Sequence, residues 1–491
     1  MKYVEAIKLN KKDNVLVLPD GGRASERVKQ RLALVSDVPA GHKIACMDIA
    51  AREPIVKYGH VIGLAKTAIK SGEHVHEHNV ATRLGTESEM FPPPHSGGRS
   101  VFRPVAADAG SFSGFRRAVG RAGVRNDLWV IPTVGCVNGE LRAVLKSYGK
   151  PEWIDDVKLL EHPYGCSQLG ADIENTARIL AGLADNPNAA GVLFVGLGCE
   201  NLQICELTRR AASKEKIRSV VLQEEGSDRI YSLLDELAEK APRDRESFPI
   251  SDLCVGVKCG GSDGYSGLTA NPLVGRFSDA LTAKGGTILA TEIPEMFGAE
   301  NVITEKIDSG EVYEKFIELD KWFRNFFVCH NQPIYENPSP GNRAGGITTL
   351  EEKSLGAVEK MGRAPVTQVL KYGEQIKPGG GAQICFSPGN DLVSCTALAG
   401  SGAQIILFTT GRGTPFGSVV PTVKISTNTP LAEKRPYWID FDAGTLLLGA
   451  SWEKECGRLM DFVLEVAAGR RAAHENKGSF DIAVFKDGVT L

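Results

Sequence analysis

Beyond Gly98 the chain repeats one pattern: a short apolar run rich in β-branched residues, then an amphipathic segment long enough for a helix. The clearest strands are expected at residues 191–195, 219–222, 253–257, 287–290, 383–386 and 404–408. Helical periodicity covers residues 173–184, 228–240, 271–283, 311–327, 391–399 and 454–468. Strands joined by helix-length crossovers lie parallel to one another. The pattern therefore confines most of the chain to an α/β class with mostly parallel, Rossmann-like sheets.

The first part reads differently. Residues 1–90 carry short strands at 14–18, 42–45 and 56–63, punctuated by Pro39-Ala-Gly41 and Lys70-Ser-Gly72, the signature of a small β domain. Phe91-Pro-Pro-Pro-His-Ser-Gly-Gly98 can continue neither a helix nor a central strand, so residues 91–100 are expected to be a linker. At 491 residues the chain exceeds what one ordinary core holds. The charged, proline-flanked stretch 241–249 marks a second boundary, giving α/β domains over 101–245 and 246–491.

A net charge of −3, with charged residues at 24% and no Lys/Arg block, leaves no electrostatic footprint for nucleic acid or an anionic membrane. The N-terminus lacks an apolar signal core and no long apolar run occurs, so a cytoplasmic protein is expected. Eleven cysteines without a secretion signal fit a reducing compartment, and none forms a Cys-x-x-Cys pair. A cysteine-ligated ion would have to be assembled from distant segments.

The unusual motifs begin where expected strands end: Gly196-Leu-Gly-Cys-Glu-Asn201, Lys258-Cys-Gly-Gly-Ser-Asp-Gly264, Thr291-Glu-Ile-Pro-Glu295, Ser387-Pro-Gly-Asn-Asp391 and Thr409-Thr-Gly-Arg-Gly-Thr-Pro415. Open α/β sheets bind ligands outside the carboxyl ends of their strands, so these loops read as walls of one site suited to a carboxylate or phosphate. No glycine segment has a P-loop or dinucleotide fingerprint. Cys136, Cys166, Cys199 and Cys259 fall in such places, and Glu200 and Asp263 add carboxylates, although an acidic N-cap is the plainer role for Asp263. Thiolate, imidazole and carboxylate together suit Fe²⁺, Mn²⁺ or Zn²⁺ better than Ca²⁺ or Mg²⁺. Three of the nine histidines stand two apart in Gly72-Glu-His-Val-His-Glu-His-Asn79. In a strand, two such imidazoles can converge on one ion, while a third needs a bend; the plainer reading is a solvated polar turn.

Taken in order, Val75-His-Glu-His-Asn79, Gly123-Val-Arg-Asn-Asp-Leu-Trp129, Pro132-Thr-Val-Gly-Cys-Val-Asn-Gly139, His162-Pro-Tyr-Gly-Cys-Ser-Gln168, Gly196–Asn201, Lys258–Gly264, Glu292-Ile-Pro-Glu-Met-Phe-Gly298, Tyr335-Glu-Asn-Pro-Ser-Pro-Gly-Asn342 and Thr410-Gly-Arg-Gly-Thr-Pro415 resemble the altronate/galactarate dehydratase family, on its altronate side. The resemblance runs from end to end. It implies an N-terminal SAF-type β-clip domain and removal of water from D-altronate to give 2-dehydro-3-deoxy-D-gluconate. It also implies Fe²⁺, with Mn²⁺ as substitute, and a role in hexuronate breakdown. The family pattern includes His76, His78 and Asn79 but does not require His74.

Dehydrating a 2,3-dihydroxy acid means removing a weakly acidic C2 proton and expelling the C3 hydroxyl, which a divalent ion chelating the carboxylate and C2 hydroxyl assists. The expected ligands are His76 and His78 with Cys166, Cys199, Glu200 or Cys259. His162 is the first candidate for proton transfer, as base or acid; Lys258 competes as base or as a carboxylate-holding ammonium. Gly260, Gly261, Ser262, Asp263 and Arg412 are the candidates for binding substrate. Two rivals stay open: a hydro-lyase with an iron–sulfur cluster on three of Cys136, Cys166, Cys199 and Cys259, and a non-catalytic sugar-acid binder. The expected partner is a small sugar acid, and a homo-oligomer is expected.

Overall fold

The computed structural model of the protein describes residues 3–28, 32–85 and 110–491, so the expected linker lies outside the described residues. The N-terminal part is built from two short antiparallel sheets and a parallel pair, Tyr3–Val4 with Arg27–Val28. Val15–Val17, Lys43–Ala45 and His74–Val75 form one, and Pro54–Lys57, His60–Ala65 and Val80–Ala81 another. Ile55, Ile62, Ile69, Val75 and Val80 fill the space between them. The run 56–63, read from sequence as one strand, is a hairpin. Tyr58 and Gly59 both take positive φ, +61° and +79°, the conformation that lets a two-residue turn reverse a twisted strand.

The second part is a parallel sheet in the order Val157–Leu159, Asp127–Pro132, Ala189–Gly196, Ile217–Val221. Every residue of Ala189–Gly196 is buried, as expected of a central strand covered on both faces. Ala171–Asp185 covers one face and Asn138–Ser147 with Arg229–Lys240 the other. The C-terminal part is a seven-stranded, all-parallel sheet: Val366–Leu370, Gly381–Cys385, Thr287–Ala290, Cys254–Cys259, Ile405–Thr410, Thr422–Ser426, Phe441–Asp442. The chain leaves Cys254–Cys259 toward one edge and later returns to build the other. The carboxyl end of that strand is therefore the sheet's topological switch point.

The expected α/β architecture is thus the one adopted, and the expected helices appear with small shifts at their ends. Side-chain caps explain several starts: Asn390 accepts from the amides of Leu392 and Val393 at 3.1 and 3.2 Å, and Ser309 and Ser451 cap Gly310–Cys329 and Trp452–Ala467. The two parallel sheets are not independent. The helices Ala171–Asp185 and Asp391–Gly400 meet where a Cβ on Gly182 would stand 2.4 Å from the Gly400 carbonyl, and Asn186 donates to Ala399 O at 2.8 Å and Ala403 O at 3.0 Å.

Candidate active site

At the switch strand of the C-terminal sheet lies a buried ionic network. Lys258, fully buried, donates to Glu292 at 2.6 Å and pairs with Asp391 at 2.8 Å. Lys353 bonds Glu295 at 2.8 Å and Asn337 at 3.0 Å, and Lys360 reaches the Cys259 sulfur at 2.8 Å. Burial alone would lower the Lys258 pKa, but Glu292 and Asp391 more than offset it and hold the amine as an ammonium. Of the two roles open to Lys258 from sequence, this favours charge holding over proton abstraction. Glu292 is pushed up by burial and by the charge of Glu295. Glu295 is itself held down, against its own burial, by Lys353. Glu292 sits at φ +69°, a left-handed conformation unusual for its residue type.

Cys259, Glu292 and Glu295 place one donor atom each within 4.8 Å of one another, alone in this among the described residues. As a donor set it suits a borderline metal. Three ammonium groups nevertheless already balance Glu292, Glu295 and Asp391, and burial pushes the Cys259 thiol up to about 11. A divalent ion there would have to displace an ammonium, so the network is self-neutralised as it stands.

The glycine-rich loop after the switch strand is tied down rather than open. Gly260 spends its amide on Thr409 O, and Gly261, at φ +61°, accepts from the amides of Gly411 and Arg412. Ser262 is buried and its carbonyl accepts from Asn342. Asp263 is buried and accepts from Tyr265 N, Ser266 Oγ, Thr427 Oγ1 and Asn428 Nδ2, fastening this loop to its neighbour; burial pushes its carboxyl up to about 6. Arg412 is exposed, with one contact to Gly341 O at 3.3 Å.

Above this edge the segment 337–353 meets the N-terminal domain. Lys43 and Lys57 converge on Glu352 at 2.8 Å each, all three essentially inaccessible to solvent. Against that clamp stand four imidazoles. His42 Nδ1 lies 3.0 Å from His74 Nε2, and the rings of His42, His74 and His76 have centroids 4.9 to 5.4 Å apart. His78 follows at 5.5 Å from His74. The bend that three alternating histidines required is present: His74–Val75 ends, and Asn79 locks the turn by accepting from His76 N and donating to His74 O. His76 Nε2 bonds Arg343 O at 2.9 Å and His42 Nε2 bonds Ala344 O at 3.3 Å. A ring nitrogen facing a carbonyl carries the proton, so both rings present a lone pair at Nδ1. Burial lowers all three pKa values, His42 to about 4 and His74 to about 3, keeping the rings neutral. Beside them opens a cleft of about 480 Å³ walled by Lys66, His78, Tyr335, Asn337 and Arg343.

The second domain holds the remaining candidates. His162 is buried with Nε2 on Pro132 O at 2.8 Å and Nδ1 accepting from Tyr164 N at 3.2 Å, and burial lowers its pKa to about 4. Glu200 accepts from Thr133 Oγ1, Gly198 N and Leu197 N; burial alone would raise it, but these bonds hold it below the ordinary range. Cys166 is half-buried and Cys199 exposed, and neither joins the imidazoles or Cys259 in a three-donor group. The structure thus brings His76 and His78 together with His42 and His74, and leaves Cys166, Cys199 and Glu200 in the second domain and Cys259 in the buried network of the C-terminal sheet. Sequence reasoning missed His42, Lys353 and Lys360. His42 stands apart from the motif and joins it only through strand pairing, Ile44 lying opposite His74.

Residues 4–83 match the altronate/galactarate dehydratase SAF domain, 114–243 the second domain of D-galactarate dehydratase/altronate hydrolase, and 250–490 the D-galactarate/altronate dehydratase C-terminal region. An altronate dehydratase of Bacillus subtilis (strain 168) is 46% identical over 99% of each chain. One of Escherichia coli (strain K12) is 43% identical over 99% of this chain and 100% of its own. The galactarate dehydratase (L-threo-forming) of Escherichia coli (strain K12) is 34% identical over 98% of this chain and 96% of its own. With all three segments matched in order and relatives aligned along its whole length, the chain belongs to the altronate/galactarate dehydratase family, a family of hydro-lyases.

Proposed function

We propose that this protein dehydrates D-altronate to 2-dehydro-3-deoxy-D-gluconate in the cleft between its N-terminal and C-terminal domains. The observation that carries the reading is the imidazole cluster at that seam, with two tautomers fixed by carbonyls of the opposite domain. The higher identity to altronate dehydratases than to a galactarate dehydratase supports the choice of substrate.

The donor set fits a divalent ion. Two nitrogens each about 2.1 Å from one ion at a right angle stand about 3.0 Å apart, and His42 Nδ1 and His74 Nε2 have that separation. His42 and His74 would hold the ion, Fe²⁺ with Mn²⁺ as substitute; the His76 ring packs against both, and His78 is poised at the cleft wall. When bound, the ion supplies Lewis acidity toward the carboxylate and C2 hydroxyl. The chain's own groups do the rest. Lys66 and Arg343 offer positive charge to the carboxylate. Asn337 joins the cleft to Lys353 and, through it, to Glu295 and the buried network, whose two glutamates are pushed in opposite directions. Arg412, Asp263 and the loop Gly260–Ser262 hold segment 337–353 in place from beneath. His162 positions the second domain's strand-end loop. The proposal keeps the cytoplasmic setting and the homo-oligomer expected from sequence.

The test is an assay of chelated, then Fe²⁺- or Mn²⁺-loaded protein against D-altronate, galactarate and related aldonates, following 2-keto acid. Metal-dependent product from altronate supports the reading. Binding of altronate without product would make the protein a sugar-acid binder.

A further inference from the structure

Taking the cleft between the N-terminal and C-terminal domains as the substrate site, as proposed above, we infer that Glu77 sets the charge class of acid it accepts: one carboxylate rather than two. Glu77 belongs to a turn that its neighbours close on both sides. Asn79 N donates to His76 O at 3.0 Å, and Asn79 Oδ1 accepts from His76 N at 3.0 Å, so Glu77 and His78 are held between them. Both residues line the cleft of about 480 Å³. The Glu77 side chain is 52% exposed, so its charge stands at the wall and meets whatever enters.

Glu77 also gathers the two cations assigned to the substrate carboxylate. Lys66 Nζ donates to its carbonyl at 2.6 Å, and Arg343 Nη1, arriving from the opposite domain, lies 3.2 Å from Oε2. Arg343 is braced in turn by Nε on Pro338 O at 3.0 Å. Among the described residues of the wall, His78 aside, Lys66, Arg343 and Glu77 are the charged side chains. Two positive charges against one negative leave a single positive charge to be met. Tyr335 and Asn337 add neutral polar atoms of the kind that bond hydroxyls.

An acid with one carboxylate and a chain of hydroxyls matches that wall. A second carboxylate finds no cation left over and meets the like charge of Glu77 instead, so the wall discriminates by repelling the wrong ligand as well as by attracting the right one. The clamp of Lys43, Lys57 and Glu352 is closed to solvent and stays the same whatever residue stands at 77.

The test uses the full Mn²⁺-loaded chain and two probes that differ at one carbon: D-altronate, and the diacid made by oxidising its C6 to a carboxylate. The KM for altronate is read from 2-keto acid release, and the diacid is read as a competitor through its inhibition constant. In Glu77→Gln the ratio of the diacid's inhibition constant to the altronate KM should fall about five- to tenfold, and Glu77→Asp should restore most of it. Added salt should narrow the ratio in the native chain but not in Glu77→Gln. Lys66→Met should raise the altronate KM, which checks the cleft itself, and circular dichroism confirms that each variant is folded. An unchanged ratio in Glu77→Gln beside a raised KM in Lys66→Met would overturn the role of Glu77 alone. No effect of either substitution would remove the cleft as substrate site together with it. Equal weakening of both acids in Glu77→Gln would overturn it too, leaving Glu77 as an anchor for Arg343.

Discussion

The seam and the rim solve the same problem in opposite ways. At the seam, charged and imidazole groups are buried and already partnered: Lys43 and Lys57 share Glu352, and His42 and His76 have their protons fixed by Ala344 and Arg343. At the rim of the second domain, the strand-end loops that bear Cys136, Cys166 and Cys199 are joined by backbone and amide bonds and by the Thr133 hydroxyl on Glu200, with Cys136 and Cys199 exposed and Cys166 half-buried. A buried charge must be compensated within the fold, so the seam is preorganised before any ligand arrives. An accessible thiol carries no such demand. The comparison teaches that a ligand at the rim would add order, whereas one at the seam would mainly replace what is there.

The largest expected effect breaks the seam. Glu352→Gln strands two buried ammonium groups and should cost about 3 to 5 kcal/mol in denaturant unfolding. A loss below about 1 kcal/mol would show that water reaches the clamp. Acid comes next. His162 titrates near 4 in the fold against an unfolded value near 6.5, so between those values the unfolded chain binds more protons. Its contribution is full above pH 6.5, is lost as pH falls, and amounts to about 3 kcal/mol by pH 4. His42 and His74 act in the same direction at the seam. Unfolding midpoints measured from pH 7 to 4.5 should fall more steeply for the native chain than for His162→Gln.

Smaller effects sharpen the rim. Gly165→Ala puts a Cβ against Thr133 O at a backbone φ of +104° and should destabilise by about 1 to 3 kcal/mol, read by thermal melting. Cys136→Ser, at an exposed position, should stay within about 0.5 kcal/mol. A large loss there would mean the thiol packs rather than waits.

How much of this was legible in the sequence follows from periodicity. Amphipathic helices such as Arg229–Lys240 and fully apolar strands such as Ala189–Gly196 declare themselves. The helix Leu350–Val358 does not, because every residue is buried, Glu351, Glu352 and Lys353 included, and a helix enclosed on all sides shows no polar face. The strand Thr422–Ser426 hides for a related reason: Lys424 lies in its middle and is buried with its ammonium on Phe416 O. The candidate site divides the same way. His76 and His78 stand in a local motif, but His42 enters only through register, and the pairing of Lys258 with Glu292 and Asp391 depends on the switch-point topology. Local spacing announces ligands; partners that arrive through tertiary contacts leave no such mark.

The central claim is that the imidazoles at the seam hold the ion used in dehydration. It is tested most directly by titrating Mn²⁺ alone into chelated native protein and into the folded His42→Gln, His74→Gln double variant, following bound Mn²⁺ by electron paramagnetic resonance and 2-keto acid formed from D-altronate. The account predicts that the variant loses tight Mn²⁺ binding and turnover together. Native binding and full turnover in the variant would contradict it.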